Sequence, residues 1–136
     1  MTIGLAPVPV AVLIADDEAV ICNCLAALLR ERRCTVYTAA DGQEAVEVYR
    51  AHRGEIDVLF LDVHLPRLDG LAALEAVRAI NPGARCCLMT TREGPVRNRL
   101  KPGLTELLAK PFDLVDVLNV LARLRPEQPG NGEAHP

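Results

Sequence analysis

The strongest constraint on the fold is an alternation of five short apolar runs with segments of helical periodicity. Each run is five or six residues long and apolar nearly throughout, which is typical of strands buried on both faces of a parallel sheet. The predicted strands are residues 10–15, 34–39, 57–61, 85–89 and 105–109.

Apolar residues recur at helical spacing in four of the intervening segments. The predicted helices lie at 18–32, from Asp41-Gly42 onward, from Asp69-Gly70 to about Asn81, and at 112–125. Strands that alternate in this way with helices predict an α/β domain built on a parallel sheet.

The segment 91–103 breaks this rhythm, because it contains Pro95, Pro102 and two glycines. Pro102 must end any helix, which leaves room for fewer than two turns. We therefore predict a short or irregular fourth helix. The folded domain is predicted to cover residues 8–125, and the Pro- and Gly-rich tail, 126–136, is predicted to be disordered.

Composition excludes several classes of protein. The net charge of −3 favours neither nucleic acid nor an anionic membrane, and 3 % aromatic residues are too few for base-stacking platforms. No apolar run approaches the roughly 20 residues that span a bilayer, and no signal-peptide pattern opens the sequence. The five cysteines include no Cys-x-x-Cys pair, so we expect neither disulfides nor a zinc site. A cytoplasmic location is the simplest expectation.

Polar side chains follow four of the five predicted strands, and ligands of a doubly wound sheet bind outside the carboxyl ends of its strands. Three carboxylates, a hydroxyl and an ammonium group are therefore expected to converge on one crevice. In chain order, the polar residues that directly follow the predicted strands are Asp16, Asp17 and Glu18, then Asp62, then Thr90 and Thr91, and finally Lys110.

The chemistry of this set is restrictive. Crowded carboxylates repel one another, and a divalent cation removes that repulsion. Ligands that offer only oxygen select a hard ion, and Mg²⁺ also favours phosphate as a further ligand. A carboxylate beside Mg²⁺ can act as a nucleophile toward phosphorus, while a Lys and a Thr can hold phosphoryl oxygens.

Four motifs together resemble the receiver domain of two-component response regulators. They are "IADDE" (14–18), "LFLDVHLPRLDG" (59–70), "LMTT" (88–91) and "AKPF" (109–112). The resemblance covers about residues 8–125 and is closest to stand-alone chemotaxis regulators. It implies a flavodoxin-like five-stranded parallel sheet, in the order 2-1-3-4-5, that is flanked by five helices.

The resemblance also implies roles for single residues. Asp62 would be the phosphoacceptor, Thr90 the switch hydroxyl that contacts the phosphoryl group, and Lys110 the ammonium that pairs with that group. The peptide bond before Pro111 is typically cis in this family. The phosphoryl donor would be a histidine kinase or a histidine phosphotransfer protein. No activity beyond Mg²⁺-dependent self-phosphotransfer and autodephosphorylation is expected.

A Mg²⁺ site is the second implication. The carboxylates of Asp16, Asp17 and Asp62 would hold the ion directly or through water, and the main-chain carbonyl of His64 would be a further ligand. The side chain of His64 is more simply interpreted as a surface loop residue.

Other interpretations of the same residues remain open from the sequence. Asp17 precedes a predicted helix and could be only its N-cap. Lys110 could be an ordinary solvated lysine, and Thr90 with Thr91 could be ordinary loop residues. The basic cluster could be a solvated face or a docking site for an acidic protein partner. It contains Arg78, Arg85, Arg92, Arg97, Arg99 and Lys101, against the single acid Glu93.

Two features depart from the receiver pattern, and both fall on the face that receivers commonly use for output. The interval from Thr90 to Lys110 is about two residues short, and Leu107 stands where the family usually has an aromatic residue. We expect the segment 92–102 to be locally unstable and to become ordered on phosphorylation. We expect no output domain after the last helix, and therefore expect output by protein contact or phosphate relay, and not by DNA binding.

Two rival functions remain. A phosphatase of the haloacid-dehalogenase type also uses an Asp nucleophile and Mg²⁺, but it needs a second Asp where His64 stands. The other rival is a pseudo-receiver, a protein-binding module that works without phosphorylation.

Overall fold

The structure is a computed structural model that describes residues 10–92, 94–97 and 100–124. Strands and helices alternate along the whole of this range. The elements are β1 (Ala11–Ala15), α1 (Ala19–Glu31), β2 (Thr35–Ala39), α2 (Gly42–Ala51), β3 (Val58–Asp62), α3 (Gly70–Ile80), β4 (Arg85–Thr90), α4 (Gly94–Arg97), β5 (Thr105–Ala109) and α5 (Leu114–Leu124). The tail that was predicted to be disordered, 126–136, lies outside the described residues.

The five strands form one parallel sheet in the order β2-β1-β3-β4-β5. This confirms the predicted fold class and strand order. The central strand β3 pairs with β1 on one side and with β4 on the other, and every one of its residues is buried. The helices that connect the strands therefore cover both apolar faces of the sheet.

Alternate residues of each strand contribute to two separate cores. Ile14, Phe60 and Met89 pack on the side of α1 and α5. Leu13, Leu61 and Leu88 pack on the opposite side, with α2 and α3. The continuous apolar runs of the sequence thus reflect burial of both faces of the sheet.

Two helices begin at the aspartates that the sequence indicated. The Asp41 side chain accepts a hydrogen bond from the backbone N–H of Glu44 at 2.8 Å, and Asp69 accepts one from Ala72 at 2.8 Å. Each bond satisfies an N–H group that lacks a partner inside its helix.

The fourth helix is a single turn, Gly94–Arg97, as predicted from the prolines. Its buried residue is Val96, whereas Arg92, Arg97 and Lys101 are exposed. The observed ends of the other elements differ from the predicted ones by at most two residues, and β5 has the predicted bounds. The most consequential difference is that Asp62 and Thr90 are the last residues of β3 and β4, and not the residues after them.

Candidate functional site

Asp62 ends the central strand with its side chain at the carboxyl edge of the sheet. The residue is 6 % exposed, and its Oδ1 accepts a hydrogen bond of 2.9 Å from the backbone N–H of His64. Behind it, α3 begins at Gly70, where any Cβ atom would collide with the carbonyl oxygen of Asp62. The N-terminus of α3 therefore packs directly on the backbone that carries this carboxylate.

The acidic pair follows β1, the neighbouring strand. Asp16 is buried, and its Oδ1 accepts a 2.9 Å hydrogen bond from the backbone N–H of Glu18. Asp17 is exposed. Carboxylate oxygens of Asp16, Asp17 and Asp62 lie within 4.8 Å of one another, so the predicted convergence of these three residues occurs.

Lys110 reaches this cluster from the end of β5. Its Nζ lies 2.7 Å from Oδ2 of Asp62, 2.9 Å from Oδ2 of Asp16 and 3.3 Å from Oε1 of Glu18. The Lys110 side chain is 10 % exposed, so it is not the solvated lysine of the alternative interpretation. The Lys110–Pro111 peptide bond is cis.

Two opposing effects act on the pKa of the Lys110 ammonium. Burial lowers it, but hydrogen bonds and charges from Asp62 and Asp16 outweigh burial and raise the pKa above its ordinary value. The lysine is therefore a permanent cation in a cluster of carboxylates.

The Thr90 hydroxyl is engaged within its own loop. Its Oγ1 accepts a 3.0 Å hydrogen bond from the backbone N–H of Arg92 and lies 3.3 Å from the Arg92 carbonyl, to which it donates. The Thr90 carbonyl accepts a 2.8 Å bond from the backbone N–H of Lys110. Thr90 thus lies beside the end of β5, which Lys110 follows, and its hydroxyl is turned toward the segment that leads into α4.

The structure excludes one interpretation of Asp17, that of a helix N-cap. The N-cap of α1 is Glu18, whose side chain makes no capping hydrogen bond. Asp17 is therefore free of the capping role. His64 is an exposed residue, as the simpler interpretation has it, and its observed link to the site is the backbone N–H.

Sequence reasoning missed two contacts. Glu18 was noted at the strand end, but its ion pair with Lys110 was not predicted. The backbone of Arg92 was not considered as the partner of Thr90. The one sequence signal for the contact between Glu18 and Lys110 was the position of Glu18 as a third acid directly after the acidic pair.

The donor set fits a hard divalent cation. It offers three carboxylates, and no thiolate or imidazole nitrogen takes part in the acidic group. None of the five cysteines belongs to this acidic group. Burial raises the pKa of the Cys86 thiol to about 12, so this thiol is a core group and not a nucleophile.

Comparison with known proteins identifies the family. The sequence matches the family described as response regulator receiver domain over residues 12–122. The chain belongs to this family. It is thus a receiver domain of two-component signalling, and the resemblance inferred from the four motifs is confirmed. No helix among the described residues is both long and apolar enough to cross a membrane.

The similarity to individual relatives agrees with this family assignment. The chain is 38 % identical over 122 residues to the probable transcriptional regulatory protein TcrX of Mycobacterium tuberculosis, a match that covers 86 % of this chain and 50 % of TcrX. It is 29 % identical over 117 residues to the chemotaxis protein CheY of Treponema pallidum, covering 84 % of this chain and 81 % of that protein. The chain spans half the length of TcrX and 15 % of the transcription factor SKN7 of Chaetomium thermophilum.

A solved structure has the same fold. The CheX–CheY–BeF3–Mg complex from Borrelia burgdorferi contains a chain with a TM-score of 0.77 and 31 % identity, and the match covers 84 % of this chain and 87 % of that one.

Proposed function

We propose that this receiver domain is a phosphoacceptor of a two-component phosphorelay, and that Asp62 is the residue that is phosphorylated. The observation that carries the proposal is the position of Asp62 at the end of the central strand, 2.7 Å from the Lys110 ammonium and beside the Asp16 carboxylate. The proposed donor is the phosphohistidine of a histidine kinase or a histidine phosphotransfer protein.

The proposed step is a substitution at phosphorus. A carboxylate oxygen of Asp62 forms a bond to phosphorus as the bond from phosphorus to the histidine nitrogen breaks, and the electron pair stays on the imidazole. The product is an acyl phosphate. Lys110 already lies against Asp62, so its positive charge is available to the phosphoryl oxygens without a large movement.

Mg²⁺ is the proposed cofactor. Asp16, Asp17 and Asp62, with the carbonyl of His64, are the residues that would hold it. When bound, the ion would neutralise phosphoryl and carboxylate charge. The protein itself supplies no other catalysis in this proposal, which leaves self-phosphotransfer and autodephosphorylation as its only reactions. The CheY complex with BeF3 and Mg supports this choice of ion.

The proposed route of the donor is an apolar groove between α1 and α5. This α1–α5 groove has a volume of about 490 Å³ and ends at Lys110 and Thr91. Val20, on its α1 side, is 75 % exposed and is one of the two exposed large apolar residues in the described part of the chain. A protein that covers Val20 would bring a histidine toward Asp62.

The central experiment is intact-mass measurement after incubation with a small phosphodonor and Mg²⁺. We expect one phosphoryl group that hydroxylamine removes, and none in Asp62→Asn. The matched control is Asp57→Asn, at the opposite end of the same strand region, which should be modified like the wild type. A phosphoryl group that maps to a Ser, Thr or His would refute the proposal.

A second measurement tests the donor route. Val20→Asp should slow phosphotransfer from a phosphohistidine-bearing phosphotransfer protein, while leaving the reaction with a small phosphodonor unchanged. Equal slowing of both reactions would argue against the groove as the route.

We also propose that output occurs by protein contact and not through DNA. A cytoplasmic setting is proposed because all five cysteines are free thiols.

One observation favours a rival, the phosphorylation-independent pseudo-receiver. Leu107 occupies the switch position, where it packs against the core and carries no ring to follow Thr90. If Asp62→Asn retains all partner binding, and a phosphodonor has no effect on binding by the wild type, the rival is correct.

A further inference from the structure

The turn between β2 and α2, residues 39–43, contacts both sides of the candidate metal site. On one side, the carbonyl of Ala39 accepts a 3.2 Å hydrogen bond from the backbone N–H of Asp16. On the other side, the backbone N–H of Gly42 donates a 3.3 Å hydrogen bond to the carbonyl of Pro66, in the loop that leads from β3 to α3. We call this segment the β2–α2 turn. It joins the end of β1 to the loop that follows β3.

That loop, residues 63–69 and here called the β3–α3 loop, packs directly on the β2–α2 turn. A Cβ atom added at Gly42 would collide with the carbonyl oxygen of Leu68. Helix α2 therefore begins against the backbone of the loop, and only a residue without a side chain fits there. Because the loop carries the His64 carbonyl that is proposed to hold Mg²⁺, its position bears on the metal site.

Arg67 fastens the loop to the turn through its side chain. Its Nε lies 3.5 Å from Oδ2 of Asp41, and its Nη2 donates a 3.3 Å hydrogen bond to Oε1 of Gln43. The backbone of Arg67 has a φ of 69°, in the left-handed region that residues with a side chain rarely adopt. Strain of this kind persists only where the surrounding contacts hold it. The pairing with the start of α2 is such a contact.

Reciprocal hydrogen bonds make the turn rigid. Oδ1 of Asp41 accepts a 2.8 Å hydrogen bond from the backbone N–H of Glu44, and Oε1 of Glu44 accepts a 2.8 Å hydrogen bond from the backbone N–H of Ala40. The Asp41 carboxylate thus caps α2 with one oxygen and pairs with Arg67 through the other. A rigid turn holds the loop and the backbone of Asp16 at a fixed separation.

We propose that the β2–α2 turn and Arg67 are positioning elements of the Mg²⁺ site, which set the distance between the Asp16 carboxylate and the His64 carbonyl. Neither Arg67 nor Asp41 contacts the metal. Mg²⁺ demands near-ideal octahedral geometry, so ligands that are already in place bind it more tightly than ligands that must be ordered. This inference rests on the proposed function, because it concerns the metal site of that function.

The sign of one substitution separates position from charge. Removing a positive charge near the site would by itself strengthen Mg²⁺ binding, because repulsion between two cations is relieved. If Arg67 acts by position, its removal should weaken binding instead. Arg67→Asn makes this distinction, since asparagine accepts the left-handed backbone conformation and carries no charge for an ion pair. The fold should therefore lose little stability in this variant.

Mg²⁺ alone is titrated into the unphosphorylated full chain, and the backbone amide shifts of Asp17 and His64 are followed by NMR. We expect the dissociation constant to rise about two- to fivefold in Arg67→Asn, the effect of losing one exposed ion pair. The melting temperature in EDTA should stay close to that of the wild type. Arg53→Asn, an exposed position just after α2, removes the same charge at the other end of that helix and should leave the dissociation constant unchanged.

Two further variants test the other contacts of the turn. Asp41→Asn keeps an oxygen that can cap α2 but removes the charged partner of Arg67. The double variant, with Arg67→Asn, should bind Mg²⁺ no more weakly than the weaker of the two single variants, because both remove the same interaction. Gly42→Ala displaces the loop backbone and should raise the dissociation constant about tenfold. Gly54→Ala is its matched control, since no atom lies within 4 Å of the added Cβ.

Three results would overturn the proposal alone. Tighter Mg²⁺ binding in Arg67→Asn would show that Arg67 acts only through its charge. Equal weakening in Arg53→Asn would show that the effect is not local. Unchanged affinity in both Arg67→Asn and Gly42→Ala would show that the turn does not position the ligands. A wild-type chain that binds no Mg²⁺ at these amides would instead refute both this inference and the proposed cofactor.

Discussion

The Nζ atom of Lys110 lies 2.7 Å from Oδ2 of Asp62, and the two residues are 48 positions apart in the chain. The same ammonium lies 2.9 Å from Oδ2 of Asp16, which is 94 positions away. One cation thus joins the carboxyl ends of β1, β3 and β5. Any metal ion that binds these carboxylates lies close to the lysine, so the two positive charges offset the same carboxylate repulsion.

Lys110→Ala should destabilise the chain. Its removal leaves two buried carboxylates without their cation, and we expect a loss of about 1–3 kcal/mol in the free energy of unfolding. Saturating Mg²⁺ should reduce this loss, because the metal replaces the missing positive charge and binds only the folded state. Urea unfolding in EDTA and in Mg²⁺ measures both values. Lys101→Ala, at an exposed lysine, is the control and should change little. An equal loss of unfolding free energy in both buffers would show that Mg²⁺ does not replace the charge of Lys110.

Asp17→Asn should stabilise the metal-free chain. Four carboxylates, those of Asp16, Asp17, Glu18 and Asp62, surround one ammonium, and Asp17 is the exposed member of the acidic pair. The gain should be a few tenths of a kcal/mol, since solvent screens an exposed group. The melting temperature in EDTA should therefore rise, whereas the stabilisation by Mg²⁺ should shrink. Glu47→Gln, on the exposed face of α2, controls for net charge. A lower melting temperature of the Asp17 variant in EDTA would show that Asp17 makes a stabilising contact.

The sequence predicted these carboxylates to repel one another, but it did not predict how far Lys110 offsets the repulsion. The strands, the helix starts and the edge of the sheet that carries the site depend on local signals, such as the apolar run before Asp62 and the Asp69 cap. The sequence predicted these features correctly. The pairing of Lys110 with Glu18 and the turn of the Thr90 hydroxyl toward Arg92 depend on side-chain directions. Those directions are set by packing between residues that are distant in the chain, so no local pattern contains them.

Gly70→Ala should be destabilising even though alanine is the better helix former. Inside a helix this exchange normally gains about 1 kcal/mol. Here the new Cβ would meet the Asp62 carbonyl, so either α3 or the end of β3 must shift. We expect a lower melting temperature together with slower phosphorylation by a small phosphodonor. Gly54→Ala, where no atom lies within 4 Å of the new Cβ, is the matched control. Unchanged stability of the Gly70 variant would show that α3 or the end of β3 shifts without a measurable loss of unfolding free energy.

Arg78→Ala should cost about 2–4 kcal/mol in the free energy of unfolding. It removes charged hydrogen bonds to three partners and leaves the Thr105 hydroxyl and the Leu104 carbonyl without this donor. Arg50→Ala, at an exposed position of α2, should stay within about 0.5 kcal/mol of the wild type. Chemical denaturation measures both. If the two variants are equally stable, the hydrogen bonds of Arg78 contribute nothing measurable to the stability of the fold.

Phosphorylation should change amide exchange around α4 in two opposite ways. The Arg92 amide donates to the Thr90 hydroxyl, so movement of Thr90 toward a phosphoryl group would release that amide and speed its exchange. The single turn Gly94–Arg97 buries only Val96 among its described side chains, and few buried contacts give low local stability. We expect Val96 and Arg97 to exchange much faster than Leu88 of β4, and to become protected when beryllofluoride and Mg²⁺ occupy the site. Thr90→Val should abolish both changes, while Thr91→Val, one residue on, should abolish neither. Strong protection of Val96 and Arg97 without the mimic, unchanged by it, would mean that phosphorylation does not signal through this segment.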